Sequence, residues 1–310
     1  MDTAGCFHSM TRLHAPARSA TTIDRRRRGT QRRIGALGVV LLIAALVAAC
    51  GGSSGSDDPS TSSSAAAGAA ASSSADGPLV VLAASSLKDV FPKLADAFAK
   101  ENAGAEVRFS FAGSDELATQ IQEGAPADVY AAASPKYPDQ LAAAGKLDKP
   151  VPFATNTLVL AVPSGSTKVT SLESLTAPGV KLVIGAEGVP VGDYTRTVLG
   201  ALDGTQGADY SAAVMKNVVS EEQNVKGIVA KLASGDADAG FVYTTDVKAV
   251  GSEIQAIDIP ASAKPSATYP IGVVHGSANA DLAGKWVSFV LSPEGQQLLA
   301  AAGFGAAPAP

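Results

Sequence analysis

From Leu79 onward the chain alternates between short strand-like runs and helical ones, and that alternation limits the available folds more than any other feature. LVVLAA (79–84) reads as a strand, and in the following LKDVFPKLADAFAKEN the residues Leu87, Val90, Phe91, Leu94 and Phe98 share one helical face. EVRFSFA then sets Val107, Phe109 and Phe111 in strand alternation. A helix beginning near Ser114 (SDELATQIQEG), a strand ADVYAAA and a helix around PKYPDQLAAAG come next. Three βα units in succession predict a parallel sheet with helices on its faces, an α/β fold. Around Asn156 the pattern changes to an extended segment, TLVLAVP, and a second α/β set: KLVIGAEG, GDYTRTVLGAL, VKGIVAKLASG and AGFVYTTD. IQAIDIP and TYPIGVV run extended again, and amphipathic helices over 278–291 and 293–302 finish the chain. Two extended segments enclosing an α/β insertion predict two βα lobes joined by two crossover strands. Lobe one takes 78–155 and 258–310, and lobe two takes 156–257.

Ahead of this body lies a different kind of sequence. RRRRGTQRR (25–33) precedes an uncharged apolar run, 34–49, that ends in LVAAC at Cys50. A basic region, a short apolar region and small residues before a cleavage point make a secretory signal over 1–49. The run is shorter than the ~20 residues a membrane span needs. LVAAC resembles a bacterial lipobox, which implies that Cys50 is lipidated and holds the protein to the outer face of the cytoplasmic membrane. The long basic stretch fits either a start later than Met1 or a twin-arginine export signal at Arg32–Arg33. Residues 51–77 are almost wholly Ser, Ala and Gly, so 50–77 reads as a lipidated cysteine with a flexible tether.

Charge and reactive residues remove several function classes. The first 49 residues hold eight arginines against two aspartates, so of a total formal charge of −5 the remainder carries −11. An acidic body is repelled by nucleic acid. After Cys50 there is no cysteine and one histidine, His275. Cys/His zinc sites, disulfide frameworks and Cys-His nucleophile pairs are thereby excluded from the body.

In open α/β sheets ligands gather beyond the carboxyl ends of strands. Four such turns stand out: Ala83-Ala84-Ser85-Ser86-Leu87, Phe111-Ala112-Gly113-Ser114-Asp115, Gly188-Val189-Pro190-Val191-Gly192 and Asn224-Val225-Lys226-Gly227. Tyr243 closes the strand of AGFVYTTD. The serines of the first two turns suit helix N-caps, and a tyrosine at a strand end ordinarily belongs to a core. Converging helix starts also offer unpaired N–H donors and a positive dipole end, which can hold an anion without lysine or arginine.

These residues carry a resemblance. VVLAASSLKDVF, FSFAGSDELATQIQEGAPADVYAAAS, GVPVGDY, NVKG and AGFVYTTD, in this order, resemble the molybdate-binding proteins that serve ABC importers, over about Leu79 to Phe304. The resemblance implies a two-lobed periplasmic-binding-protein clamshell of type II that closes on molybdate or tungstate, with no further cofactor. Ser86 and Ser114 would donate hydroxyl and backbone N–H, Val191 and Val225 backbone N–H, and Tyr243 its phenol. It also implies an ABC permease with its ATPase as partners, and a monomer. Gly113 stands where a serine is common and Val191 where a smaller residue is common. Asp115 and Asp193 put carboxylates near helix starts, and both are expected to face solvent.

Two other readings use the same residues. The same fold could hold another oxyanion such as sulfate or phosphate, although a site of neutral donors alone favours a fully ionised dianion over one that keeps a proton. An anchored serine hydrolase would use Ser86 or Ser114 with His275 or Lys88 as base, without a GxSxG elbow. A free metal cation would have only carboxylates and Tyr194, Tyr210, Tyr243 or Tyr269 to bind it. Trp286, with Leu282, Phe289 and Val290 at helical spacing, is expected to pack in lobe one.

Overall fold

A computed structural model describes residues 77–308. The signal segment, Cys50 and most of the tether lie outside the described residues. The first βα set is β1 (Leu79–Ala84), α1 (Phe91–Glu101), β2 (Val107–Ala112), α2 (Ser114–Gln122), β3 (Val129–Ala131) and α3 (Lys136–Ala143). β1 lies between β2 and β3 and is parallel to both. Its alternation serves two cores. Val81 and Ala83 join the large apolar cluster, whereas Leu82 packs with Leu117, Ile121 and Leu141 on the other face.

The helix after β1 starts later than its apolar face suggested. Ser85–Leu87 form one 3-10 turn and α1 begins at Phe91. Pro92, tolerated in a first helical turn but not further in, fixes that start. The expected serine N-cap is therefore absent: Ser85 and Ser86 are buried in the 3-10 turn, which has no side-chain cap. Asn102 caps the end of α1, its side chain donating to Phe98 O at 3.1 Å.

β4 (Val151–Pro163) opens the second set, which continues with β5 (Leu182–Gly185), α4 (Pro190–Gln206), α5 (Tyr210–Met215), β6 (Val218–Glu222), α6 (Val225–Ala233), β7 (Ala239–Tyr243), α7 (Thr244–Val250) and β8 (Ile254–Ile257). β5 is parallel to β6 and β7 and lies between them, the arrangement of β1 over again. β9 (Ser266–Val273) then pairs antiparallel with both β3 and β4. α8 (Ala280–Leu291) and α9 (Pro293–Ala302) close the chain. The sheet order is β2-β1-β3-β9-β4-β7-β5-β6, with β8 also on β4.

β4 joins the two sets. It pairs with β9 as far as Thr157↔Ser266, and its rungs with β7 begin at Leu158↔Tyr243. Trp286 sits fully buried in the first set, edge-on to Phe91 and Phe98 at centroid distances of 5.8 and 5.3 Å. The carboxyl ends of β1 and β2 carry the serine turns, and those of β5, β6 and β7 carry the other three candidate segments.

Candidate functional site

Ser86, Ser114, Val191, Val225 and Tyr243, separated by up to 157 positions in sequence, line one small cavity together with Gly113, Ala133, Pro190 and Asn224. All five are at most 4% exposed. The centre of a water-sized sphere can occupy about 10 Å³ of this space, so the free space is roughly 5 Å across once the sphere's own radius is added. That suits one compact ion.

Each donor is placed by its local structure. Ser114 is the first residue of α2 and Val225 the first of α6, while Val191 lies in the first turn of α4 behind Pro190. Such positions leave N–H groups without an intrahelical acceptor. None of the backbone N–H groups of Ser86, Ser114, Val191 and Val225 has an acceptor among the described residues. Asn224 caps α6 by accepting from Lys226 N and Gly227 N at 3.0 and 3.2 Å, which leaves the Val225 N–H free.

The α4 turn is held from below. Arg196 donates to Gly185 O at 2.9 Å and Gly192 O at 3.2 Å, and Asp193 accepts from Gly188 N at 2.8 Å. Gly192 has to be glycine, because a Cβ there would run into the carbonyls of Gly185 and Ala186.

The hydroxyls are arranged to donate. Ser114 Oγ accepts from Ala133 N at 3.1 Å, so its own hydrogen is left for the cavity. Tyr243 Oη is buried with no hydrogen-bond partner. Burial raises the Tyr243 phenol well above its ordinary pKa of 10.0, with neighbouring Tyr269, Tyr194 and Asp246 acting in the same direction. The phenol therefore stays protonated. A lining of N–H and O–H donors with no carboxylate can stabilise an anion and has no charged ligand for a cation.

The two carboxylates expected to face solvent behave differently. Asp193 does stay out of the lining: its Oδ2 pairs with Lys136 Nζ at 2.9 Å, and the side chain remains 37% exposed. Asp115 does not face solvent with both oxygens. Its Oδ1 is buried without a partner, because α2 turns it back over Gly113. At Gly113 itself a Cβ would lie 2.6 Å from both Asp115 Oδ1 and Gln223 O, so glycine permits the turn before α2 to meet the turn before α6. Gly113→Ala is expected to hold these turns apart and weaken anion binding about tenfold, an overpacking cost of about 1–2 kcal/mol. Titration calorimetry on the variant checks this.

Contacts between the two βα sets surround the cavity. Tyr137 Oη donates to Gly188 O at 2.7 Å, and Lys136 pairs with Asp193. Lys226 reaches Asp89 in one direction and Asp246 Oδ1, at 2.9 Å, in the other. Sequence patterns gave no sign of these pairs. Neither Asn156 nor Tyr269 stood out in sequence as a functional residue, yet Ser86 Oγ lies 2.9 Å from Tyr269 Oη, which also meets Asn156 Nδ2 at 3.4 Å. A polar residue amid the apolar run FATNTLVL was the one available clue to Asn156.

The hydrolase constellation does not assemble. His275 is 69% exposed, 3.4 Å from Asp148, and neither it nor the exposed Lys88 lines the cavity. Tyr194, Tyr210 and Tyr269 are likewise absent from the lining. Among the described residues no group of three His, Cys, Asp or Glu could hold a metal ion.

Known proteins resemble this chain in sequence and in fold. A family described as bacterial extracellular solute-binding protein matches residues 79–305. Molybdate-binding protein ModA of Mycobacterium tuberculosis is 36% identical over 228 residues, covering 73% of this chain and 84% of its own. The periplasmic molybdate-binding protein of Azotobacter vinelandii superposes with a TM-score of 0.63 at 24% identity, over 73% of this chain and 98% of its own. The sulfate-binding protein SubI of Mycobacterium tuberculosis gives 0.65 at 19% identity, over 73% and 86%. At these identities the two structures speak for the fold alone.

Proposed function

The chain belongs to the bacterial extracellular solute-binding proteins, and from that premise we propose that it captures molybdate, or tungstate, between two lobes and delivers it to an ABC importer. Its fold is the two-lobed α/β clamshell of periplasmic binding proteins, and it is a solute-binding protein rather than an enzyme. The observation that carries the ligand reading is a cavity lined by four free backbone N–H groups and by serine and tyrosine hydroxyls, with no carboxylate to accept a ligand proton. Such a lining holds a fully deprotonated tetrahedral dianion and leaves a hydrogen phosphate with an unpaired P–O–H, at the cost of an unmade buried hydrogen bond.

In this reading Ser86, Ser114, Val191, Val225 and Tyr243 are the ligand donors. The lobes are 78–155 with 258–310, and 156–257. Their approach brings both halves of the donor set to the anion, so the anion favours the closed form by the contacts it makes there. The closed form is what a permease and its ATPase would receive. We also assign export and lipidation at Cys50, with the tether holding a monomeric body off the outer face of the membrane; LVAAC and the Ser/Ala/Gly composition of 51–77 support this.

The test is thermal unfolding of the purified chain with molybdate, tungstate, sulfate and phosphate added separately at equal concentration. A ligand at 100 times its dissociation constant stabilises by about 2.7 kcal/mol, roughly 5–10 °C for a body of this size. Molybdate and tungstate are expected to raise the midpoint and phosphate to leave it unchanged. A rise with sulfate equal to that with molybdate would make sulfate the ligand, and no rise with any of the four would refute the oxyanion reading.

A further inference from the structure

We propose that Tyr269 and Asn156 are positioning residues that fix the direction of the Ser86 hydroxyl, and through it select against oxyanions that carry a proton. The inference rests on the oxyanion reading of the cavity.

The direction follows from which atoms can only donate. The backbone N–H of Thr157 lies 2.9 Å from Asn156 Oδ1, and a backbone N–H has no acceptor, so the amide oxygen must face it. Thr244 Oγ1 donates to the same oxygen at 3.1 Å. The Asn156 amide nitrogen is therefore turned the other way, donating to Thr245 Oγ1 at 2.8 Å and toward Tyr269 Oη at 3.4 Å. With its oxygen receiving that N–H, Tyr269 has one hydrogen to give. Among the described residues the acceptor at hydrogen-bond distance is Ser86 Oγ, 2.9 Å away; Tyr243 Oη also neighbours this phenol but makes no hydrogen bond with it. Ser86 thus accepts from Tyr269, and its own hydrogen points into the cavity.

Asn156, Tyr269 and Ser86 are all buried, at 3%, 0% and 4% exposure, so water does not compete for these bonds. Aligned donors of this kind also polarise one another, which strengthens the last bond of the chain. Ser114 reaches the same state by a shorter route, accepting from the fixed N–H of Ala133. A free serine hydroxyl could turn and accept a hydrogen from the ligand. Here the chain from Asn156 denies Ser86 that option, and a protonated oxyanion meets a donor where it needs an acceptor.

Sulfate and hydrogen phosphate are the probes, because they share size and charge and differ by one proton. Their affinities, with that of molybdate, are to be measured by titration calorimetry or competition at mildly alkaline pH for wild type, Tyr269→Phe, Ser86→Ala and the double variant. With Tyr269→Phe the Ser86 hydroxyl is free to turn. Sulfate and molybdate are expected to weaken about five- to tenfold, while hydrogen phosphate holds or gains, so that the sulfate-to-phosphate ratio falls about tenfold. In the Ser86→Ala background Tyr269→Phe should leave the ratio unmoved, since the effect passes through Ser86.

A role confined to packing would weaken all three anions by one factor and keep the ratio constant, which would overturn the proposal. So would a ratio that falls equally with and without Ser86. If Tyr269→Phe fails to unfold cooperatively, Asn156→Asp gives the same readout: a carboxylate accepts from Tyr269, reverses the chain and lowers the ratio, while its charge acts equally on both probes. Wild-type protein that binds none of the three anions would overturn the oxyanion reading and this proposal with it. Wild type that binds with an unmoved ratio in every variant would overturn this proposal alone.

Discussion

Lys226→Met is expected to lose about 3–5 kcal/mol of folding stability, because it strands a buried carboxylate. Asp246 is 0% exposed, and its Oδ1 faces Lys226 Nζ at 2.9 Å as an ion pair rather than a directed hydrogen bond. The other oxygen, Oδ2, accepts from Tyr243 N at 3.1 Å, so this side chain also secures the backbone beside the cavity. Burial on its own would pull the Lys226 pKa down, but Asp246 and Asp89 outweigh it and hold the ammonium above its ordinary value. Burial likewise raises the Asp246 carboxyl, with Lys226 opposing. Without the lysine that opposition is gone.

A carboxyl whose folded pKa is raised favours the folded state below its unfolded pKa and loses that contribution as pH rises through the folded value. The deficit of Lys226→Met is thus smallest in acid and widens toward neutral pH. Urea unfolding at several pH values reads it. Adding Asp246→Asn, which removes the charge, is expected to recover most of the loss, and an equal deficit in the double variant would show that the ion pair is not the cause.

Tyr243→Phe is expected to separate binding from stability. In the free protein the phenol is buried, 1% exposed, and unpartnered. Deleting a buried hydroxyl that makes no bond costs the fold nothing and removes a desolvation penalty, so the unfolding midpoint should hold or rise. With the anion present the same hydroxyl makes a charged hydrogen bond worth about 1.5–3 kcal/mol, and affinity should fall roughly ten- to 150-fold. Because the phenol pKa lies well above 10.0, wild-type affinity should show no loss of the phenol proton as pH approaches 10. Unchanged molybdate affinity in the variant would remove Tyr243 from the site.

The elements were legible where periodicity is local. A short apolar run exposed β1, alternation exposed β2, the 3.6-residue period exposed the helix that follows β1, and serine, glycine or asparagine at a strand end marked the turns that converge on the cavity. Even so, the reading of the first turn failed in detail. The apolar face of Leu87, Val90 and Phe91 continues through a 3-10 turn and into α1, and side-chain periodicity does not register the change of helix type at Pro92.

Contacts made across the fold left less trace. Ser86 and Tyr269 are 183 positions apart, and Lys226 and Asp89 are 137 apart. Such pairs come together only because β9 returns beside β4 and α6 approaches the turn after β1. Asp115 shows the same limit at short range. Its helix-start position predicted a solvated carboxylate, but Oδ1 folds back over Gly113, which itself lies against the carbonyl of Gln223, 108 residues from Asp115 in sequence.

The two ladders on β4 are arranged in series. β9 leaves one edge of the strand at Thr157 and β7 takes up the opposite edge at Leu158, so at that peptide no rung ties the first set of strands to the second. A rotation centred there leaves both ladders whole, and the bonds it parts are those across the cavity, Tyr137 to Gly188, Lys136 to Asp193 and Lys226 to Asp89. Opening about that point therefore costs contacts across the cavity and none within the sheet.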